Sequence, residues 1–303
     1  MAGTTTTGNT PKALWPGVHS FFGMKYNEHP EEYRDLFEVV PSSKNYEEDV
    51  LVTGFGLATI KDQTAGVNYT SNNQKWLQRY THVVYGLGFI CSREEVEDNL
   101  YGELATKRAA ALAFSMRTTK EIVHANHINR MTDGNYTGGD GSVLLVATHT
   151  TESGSQSNIL SPAADLSETA LEDLGVMVMT AKNDKGLQMP LIMMSLHVPP
   201  NEWFEAHRIL KSVLQNDTAN NAINVLKSTN AIPNGIRMNH YFTDTDAWGV
   251  KTNCPNGFMS FERRPREFTR DVDFDTENQK HKATERYISG WTDWRCWYGT
   301  AGA

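Results

Sequence analysis

The chain reads as an α+β protein, and three observations carry that reading. A helical pattern of about forty residues runs from Ser92 to Met131 without a proline. A β-patterned excursion with a polar tip precedes it. A β-leaning final third, from Arg237 onward, follows it. A β-patterned excursion, a long helix and a β-rich close thus flank a central portion in which helix and strand mix, which suits an α+β architecture.

The elements can be justified in order. Residues 1–20 are rich in Thr, Gly and Pro, ending at Trp15-Pro16-Gly17, and are expected to stay extended or disordered until something else orders them. Residues 28–38 suit a short helix with Tyr33, Leu36 and Phe37 on one side, stopped before Pro41. From Val50 to Ile90 the pattern turns β. Leu51 to Thr53 and Leu57 to Ile60 lead into a polar stretch, Lys61 to Lys75, and Trp76 to Ile90 returns as one strand. Such a ribbon has little core of its own and is marginal in water unless it packs on a neighbour.

Ser92 and Glu95 then form a capping box, and Glu94 to Asp98 place acid at the positive end of the helix dipole. Val96, Leu100, Leu104, Ala111, Ile122 and Ala125 give a drifting apolar stripe. At about 1.5 Å per residue the helix would be a rod of roughly 60 Å. Gly134, within Asp133-Gly134-Asn135, supplies the stop.

Beyond the rod, Val143 to Ala147 reads as a buried strand and His149 to Pro162 as a loop. Asp165 to Glu168 opens a second helix, carrying Leu171, Leu174, Val178 and Met179. A strand spans Leu191 to Val198, a helix Glu202 to Leu214, and a short helix Ala222 to Lys227. Strands are expected at Arg237–Phe242, Trp248–Lys251, Phe258–Glu262, Arg270–Phe274 and Ala283–Trp297. No internal repeat is present.

Composition excludes several classes of function. With 303 residues the chain can bury a sizeable core, and 39% hydrophobic residues place it among soluble proteins. No apolar stretch reaches the ~18 residues of a membrane span, so no membrane is expected. The N-terminus has neither the basic start nor the apolar core of a signal peptide. Three separated cysteines, Cys91, Cys254 and Cys296, favour a reducing compartment over a disulfide framework. A net charge of −8 argues against a grip on nucleic acid through neutralised phosphates.

The candidate chemical motifs are weak. His124 and His127, at i and i+3, could share a metal, but no third ligand is evident and a structural role is the better reading. Asp271, Asp273 and Asp275 begin like a calcium loop, yet Thr276 replaces the glycine and Lys282 the closing glutamate. Alternation with Val272 and Phe274 makes a half-buried strand preferable. Asp244-Thr245-Asp246 suits a turn between strands. Cys91 precedes the rod, where a thiolate would be favoured, but reads as a small buried residue. No nucleophile elbow or P-loop occurs, and Gly86-Leu87-Gly88 lies in a strand. Trp291, Trp294 and Trp297, with Tyr287, Tyr298, Arg286 and Arg295 nearby, favour core or intersubunit packing over base stacking. No cofactor and no catalytic constellation emerge. The pattern leans towards an assembly protein.

The order of parts, together with Thr137 to Ser142 (TGGDGS), Leu196 to Pro200 (LHVPP), Ile209 to Ser212 (ILKS), Phe242 to Trp248 (FTDTDAW) and Ala283 to Trp294 (ATERYISGWTDW), resembles the major capsid proteins of tailed bacteriophages. These have the Hong Kong 97-like fold, and the wording is similar to the head subunits of Mu-like phages. The resemblance covers about residue 15 to the end. It implies an N-terminal arm at 1–45, an extended loop at 46–91, and a peripheral domain at 92–164 with a spine helix at 92–131. It further implies an axial domain at 165–243 and a β-rich return at 244–303. By the same resemblance the chain self-assembles as hexamers and pentamers into an icosahedral shell enclosing double-stranded DNA, without sequence-specific binding.

Intersubunit contacts are expected at Trp76, Leu77, Tyr80, Val83, Tyr85 and Trp15. Scaffolding, portal and decoration proteins are the further partners implied. No charged helical stretch of about a hundred residues precedes the arm, which implies a scaffold that is separate or already removed. The virion is the expected location, after synthesis in the host bacterial cytoplasm. Lys61 and Lys75 are available in the loop, but nothing marks either for crosslinking. An encapsulin-like nanocompartment shell, or an enzyme using His124 and His127 or the Asp271–Asp275 acids, are the alternatives.

Overall fold

A computed structural model describes residues 15–98, 101–215 and 222–302. Its elements begin with helix α1 (Trp15–Glu28), a single-turn helix α2 (Tyr33–Leu36), and strands β1 (Glu38–Pro41), β2 (Tyr46–Val52), β3 (Gln74–Thr81) and β4 (Val83–Cys91). Helices α3 (Arg93–Glu97) and α4 (Tyr101–Asn129) follow, then strands β5 (His149–Thr151) and β6 (Gly154–Gln156) and helix α5 (Glu168–Met179). The chain continues with β7 (Met193–Val198), helices α6 (Trp203–Lys211) and α7 (Val225–Ser228), and strands β8 (Ile236–Met238) and β9 (Trp248–Thr252). It closes with β10 (Phe258–Val272), β11 (Gln279–Trp291) and β12 (Trp297–Thr300).

Two four-stranded sheets organise these parts. The first has the order β1-β10-β11-β4, the second β12-β9-β7-β8. In the first, β1 lies parallel to β10, while β10–β11 and β11–β4 are antiparallel. In the second, β7 is antiparallel to β9 and parallel to β8. The closing third thus divides between both sheets instead of forming one. Strands β2 and β3 form a separate ribbon.

Several expectations need correction. The segment from Trp15 was expected to be extended but is helical; Pro16 lies in the first turn, where its missing N–H costs nothing. Residues 1–14 lie outside the described residues. The forty-residue rod is not continuous: α3 ends at Glu97, Asp98 is a turn, residues 99 and 100 lie outside the described residues, and α4 runs for 29 residues. At 1.5 Å per residue α4 is about 43 Å long. The capping box does form, with Glu95 N–H donating to Ser92 Oγ at 3.2 Å and Ser92 N–H to Glu95 Oε2 at 3.3 Å.

The single strand expected from Trp76 to Ile90 is two. It breaks at His82, so that β3 pairs within the ribbon and β4 pairs with β11 in the first sheet. Phe258–Glu262 and Arg270–Phe274 are, conversely, parts of one strand up to Val272. Pro265, which has no N–H for the ladder, sits where the β10–β11 register shifts between Arg264 and Glu267.

Val143–Ala147 is not a strand, although Leu144 and Leu145 are buried. The buried Asn158 does the work of a partner strand. Its amide donates to Leu144 O at 2.7 Å and to Trp297 O at 3.0 Å, and its Oδ1 accepts from Val146 N–H at 2.9 Å.

The buried stripe of α4 also differs from the expected one. Ala111 is exposed and Ile122 is 42% exposed. The inward face is Ala105, Ala109, Leu112, Ala113 and Met116, then Arg117, Lys120, Glu121, His124, Ala125 and Ile128. Its first half is small enough for α1 to approach closely, with Phe22 and Tyr26 in the shared core. Phe22 stacks on Phe268 with centroids 4.5 Å apart. Its second half is ionisable, and meets the first sheet through polar contacts.

Candidate assembly surface

The residues first suspected of chemistry turn out to hold the structure together. His124 Nδ1 lies 2.7 Å from Lys120 O and its Nε2 2.8 Å from Ser260 Oγ, so both ring nitrogens are used between α4 and β10. His127 Nε2 lies 2.9 Å from Ser289 Oγ on β11. Burial lowers the pKa of His124 to about 3 and of His127 to about 4, so both imidazoles are neutral struts at pH 7.

Beside them Lys120 pairs with Glu262 and lies 3.6 Å from Glu285, tying α4 to β10 and β11 at once. Arg117 Nη2 reaches Glu31 Oε1 at 2.8 Å and Tyr26 O at 3.3 Å, and Tyr33 N–H donates to Glu121 Oε2 at 2.9 Å. These bonds fasten the α1–α2 junction to α4. Burial raises the Glu121 pKa to about 7, opposed by the Tyr33 amide and Arg117.

Cys91 is buried, and burial raises its thiol pKa although Arg108 Nη1 lies 3.5 Å away. That places it among inert structural cysteines. Trp291, Trp294, Trp297, Tyr287 and Tyr298 are all buried within the subunit. Trp294 stacks on His149 at 4.1 Å, and buried Arg295 pairs with Asp293 and Asp184. Asp244 and Asp246 lie in the irregular segment between β8 and β9, as expected of a turn.

Of the acids at 271–275 only Asp271 lies in a strand, at the exposed end of β10. Residues 274–276 form the turn of the β10–β11 hairpin, leaving Val272 53% and Phe274 96% exposed. Alternation with aspartates mimics a strand when the tertiary surroundings are unknown.

The expected contact residues divide. Trp76 Nε1–H donates to Thr292 O at 3.1 Å, and the Tyr80 hydroxyl lies 2.7 Å from Thr292 Oγ1. Tyr80 is only 2% exposed, so it serves its own subunit and is withdrawn as an intersubunit contact. The reason is local space. A Cβ on Gly290 would lie 2.5 Å from Tyr80 Cε1, and one on Gly139 2.5 Å from Trp76 Cδ1, so two glycines make room for the ribbon's aromatics. Tyr85 stacks on Tyr287 at 4.7 Å and is half-buried. Leu77 and Val83, each 45% exposed, remain open. The Trp15 side chain lies outside the described residues.

Sequence reasoning expects an extended loop at 46–91 but reads its tip as polar, and so misses the apolar residues gathered there. Between β2 and β3, Thr53 N–H donates to Asn73 O at 2.9 Å and closes a neck. Beyond that neck, Phe55 (57%), Leu57 (80%), Ile60 (98%), Val67 and Tyr69 (91%) project without cover. Residues this apolar, gathered on one excursion, mark a surface for protein contact. The signal was present in the sequence, scattered among the polar residues of 53–73.

The chain is thus an α+β body with two four-stranded sheets, a long helix against one of them and a projecting ribbon. A family model described as "Phage capsid protein" matches residues 77–299, and the chain belongs to that family. No curated protein matches the chain. Among solved structures, it is similar to the virus-like particle from Pyrococcus furiosus, at 12% identity and a TM-score of 0.51, covering 93% of this chain and 97% of that one. It is similar also to the capsid of a native GTA particle, at 13% identity and a TM-score of 0.53, covering 91% and 92%. A third is from Microbacterium phage Oxtober96, at 10% identity and a TM-score of 0.52, covering 91% and 93%. At such identities the likeness is one of fold, the Hong Kong 97-like fold. The chain is a phage capsid protein, a structural protein of the shell.

Proposed function

We propose that copies of this chain associate as hexamers and pentamers into an icosahedral shell around a double-stranded DNA genome, and that the subunit performs no catalysis. The observation that supports this reading is the uncovered apolar excursion at 53–73, which packing against another copy would bury. Modest contacts of this kind, repeated around each capsomer, add up through avidity. The net charge of −8 suits a container that holds DNA without gripping phosphate.

Within that reading, residues 1–45 serve as the N-terminal arm and 46–91 as the extended loop with its root strand. Residues 92–164 and 244–303 form the peripheral domain, and 165–243 the axial domain. Leu77, Val83 and Trp15, with half-buried Trp76 and Tyr85 at the margin, contribute contacts to neighbours. Scaffolding, portal and decoration proteins join the shell, and synthesis takes place in the host bacterial cytoplasm. The wording at residues 137–142, 242–248 and 283–294 supports placing the chain near the head subunits of Mu-like phages.

Deleting Asp62–Lys75 is expected to leave a folded, soluble subunit, with its circular dichroism spectrum otherwise retained, that forms no stable shells by negative-stain microscopy. Normal particles from the deletion variant would refute the reading.

A further inference from the structure

The first sheet carries two surface features at opposite ends, and they are complementary. At one end the β10–β11 turn presents Phe274, 96% exposed, as an aromatic knob. Asp273 N–H donates to Asn278 O at 3.0 Å, holding the turn closed, and Asp273 pairs with Lys280. Asp275, beside Phe274, pairs with no cation among the described residues.

At the other end lies a groove of about 580 Å³ between α4, β3 and the last residues of β11. Tyr85, Val123, Tyr136, Ile288 and Trp291 give part of it an apolar and aromatic lining, beside polar residues such as Gln78, Arg79 and Asn126. Arg130 stands at this groove with its guanidinium 4.3 Å from the centroid of the Tyr136 ring. It pairs with no carboxylate among the described residues.

We propose that the knob of one copy enters the groove of the next, with Phe274 on the aromatic lining and Asp275 facing Arg130. The proposal rests on the reading that copies assemble, and names where two of them meet. The knob cannot fill its own groove. Strand β11 runs from Gln279, next to the knob, to Trp291 in the groove, and its 13 residues span about 40 Å. A knob and groove at opposite ends make a head-to-tail contact, which closes into rings when the rotation between copies permits. The partner is another copy of this chain because each feature supplies what the other lacks: an exposed ring for an aromatic recess, and an unpaired acid for an unpaired cation.

Charge reversal tests the contact. Asp275→Arg is expected to lower the assembled fraction at least tenfold, by sedimentation and electron microscopy. Adding Arg130→Asp to that variant is expected to restore it. Phe274→Ala is expected to weaken assembly as well, and thermal unfolding of each soluble subunit shows that the fold is kept. Normal shells from both Asp275→Arg and Phe274→Ala would overturn the contact and leave the assembly reading standing. A loss that Arg130→Asp fails to restore would overturn the Asp275–Arg130 pairing. Failure of the unmodified chain to form shells would overturn the assembly reading, and this contact with it.

Discussion

Glu121 is buried against the α1–α2 junction, with one carboxylate oxygen bonded to the Tyr33 amide and the other without a hydrogen-bond partner among the described residues. Its folded pKa of about 7 lies above the ordinary value of 4.5, chiefly through burial. The protonated form is therefore the one the fold prefers. The stability this contributes is complete below about pH 4.5 and is lost as pH rises through 7. His124 and His127 act in the opposite sense. Their depressed values mean that stability falls as pH drops below about 6.5. A Glu121→Gln variant separates the two, because the histidine contribution cancels in the comparison with the unmodified chain. The substituted carboxamide keeps an acceptor for the Tyr33 N–H and cannot ionise. Relative to the unmodified chain the variant is expected to gain up to roughly 3 kcal/mol between pH 4.5 and 8, from 1.36 kcal/mol per pKa unit. Urea midpoints at the two pH values check this, and equal differences at both would sink the idea.

At the scale of elements, patterns that depend on near neighbours were legible. The Ser92–Glu95 box forms, with Glu95 further held by Nη1 and Nη2 of Arg108, each at 2.8 Å. Ser92→Ala is expected to cost about 1 kcal/mol in a denaturation series, by stripping one cap from the helix start. No loss at all would mean that Arg108 alone fixes α3. The buried face of α4 was less legible. Eight of its eleven residues are alanine, charged or imidazole, so the large apolar side chains do not mark it, and Ala111 and Ile122 point outward instead. Val143–Ala147 shows the same limit, since a buried asparagine replaced the partner strand that an apolar run suggests.

For the whole molecule, the joint between helix and first sheet is ionic. Lys120 is 5% exposed and faces Glu262 on β10 and Glu285 on β11, the latter 2% exposed. Removing one member leaves buried charge uncompensated, which costs about 3–5 kcal/mol. Lys120→Met is expected to lower the thermal midpoint of the isolated subunit accordingly. Adding Glu262→Gln and Glu285→Gln should return much of the loss, because no charge is then stranded. A single variant as stable as the unmodified chain would show that the pair is not what seats α4.

The sequence by itself determined the α+β class, the capping box, the turn-bounded helix α5, and a resemblance to phage capsid proteins that the family match bears out. These follow from residues close in the chain or from wording that survives as wording. Only the tertiary structure decided where the ribbon ends, since pairing of β4 with β11 joins residues nearly two hundred apart. It alone showed that Tyr80 serves its own subunit while Phe274 faces solvent. Burial is a property of what surrounds a side chain in space, and at both positions those surroundings come from, or are withheld by, distant chain.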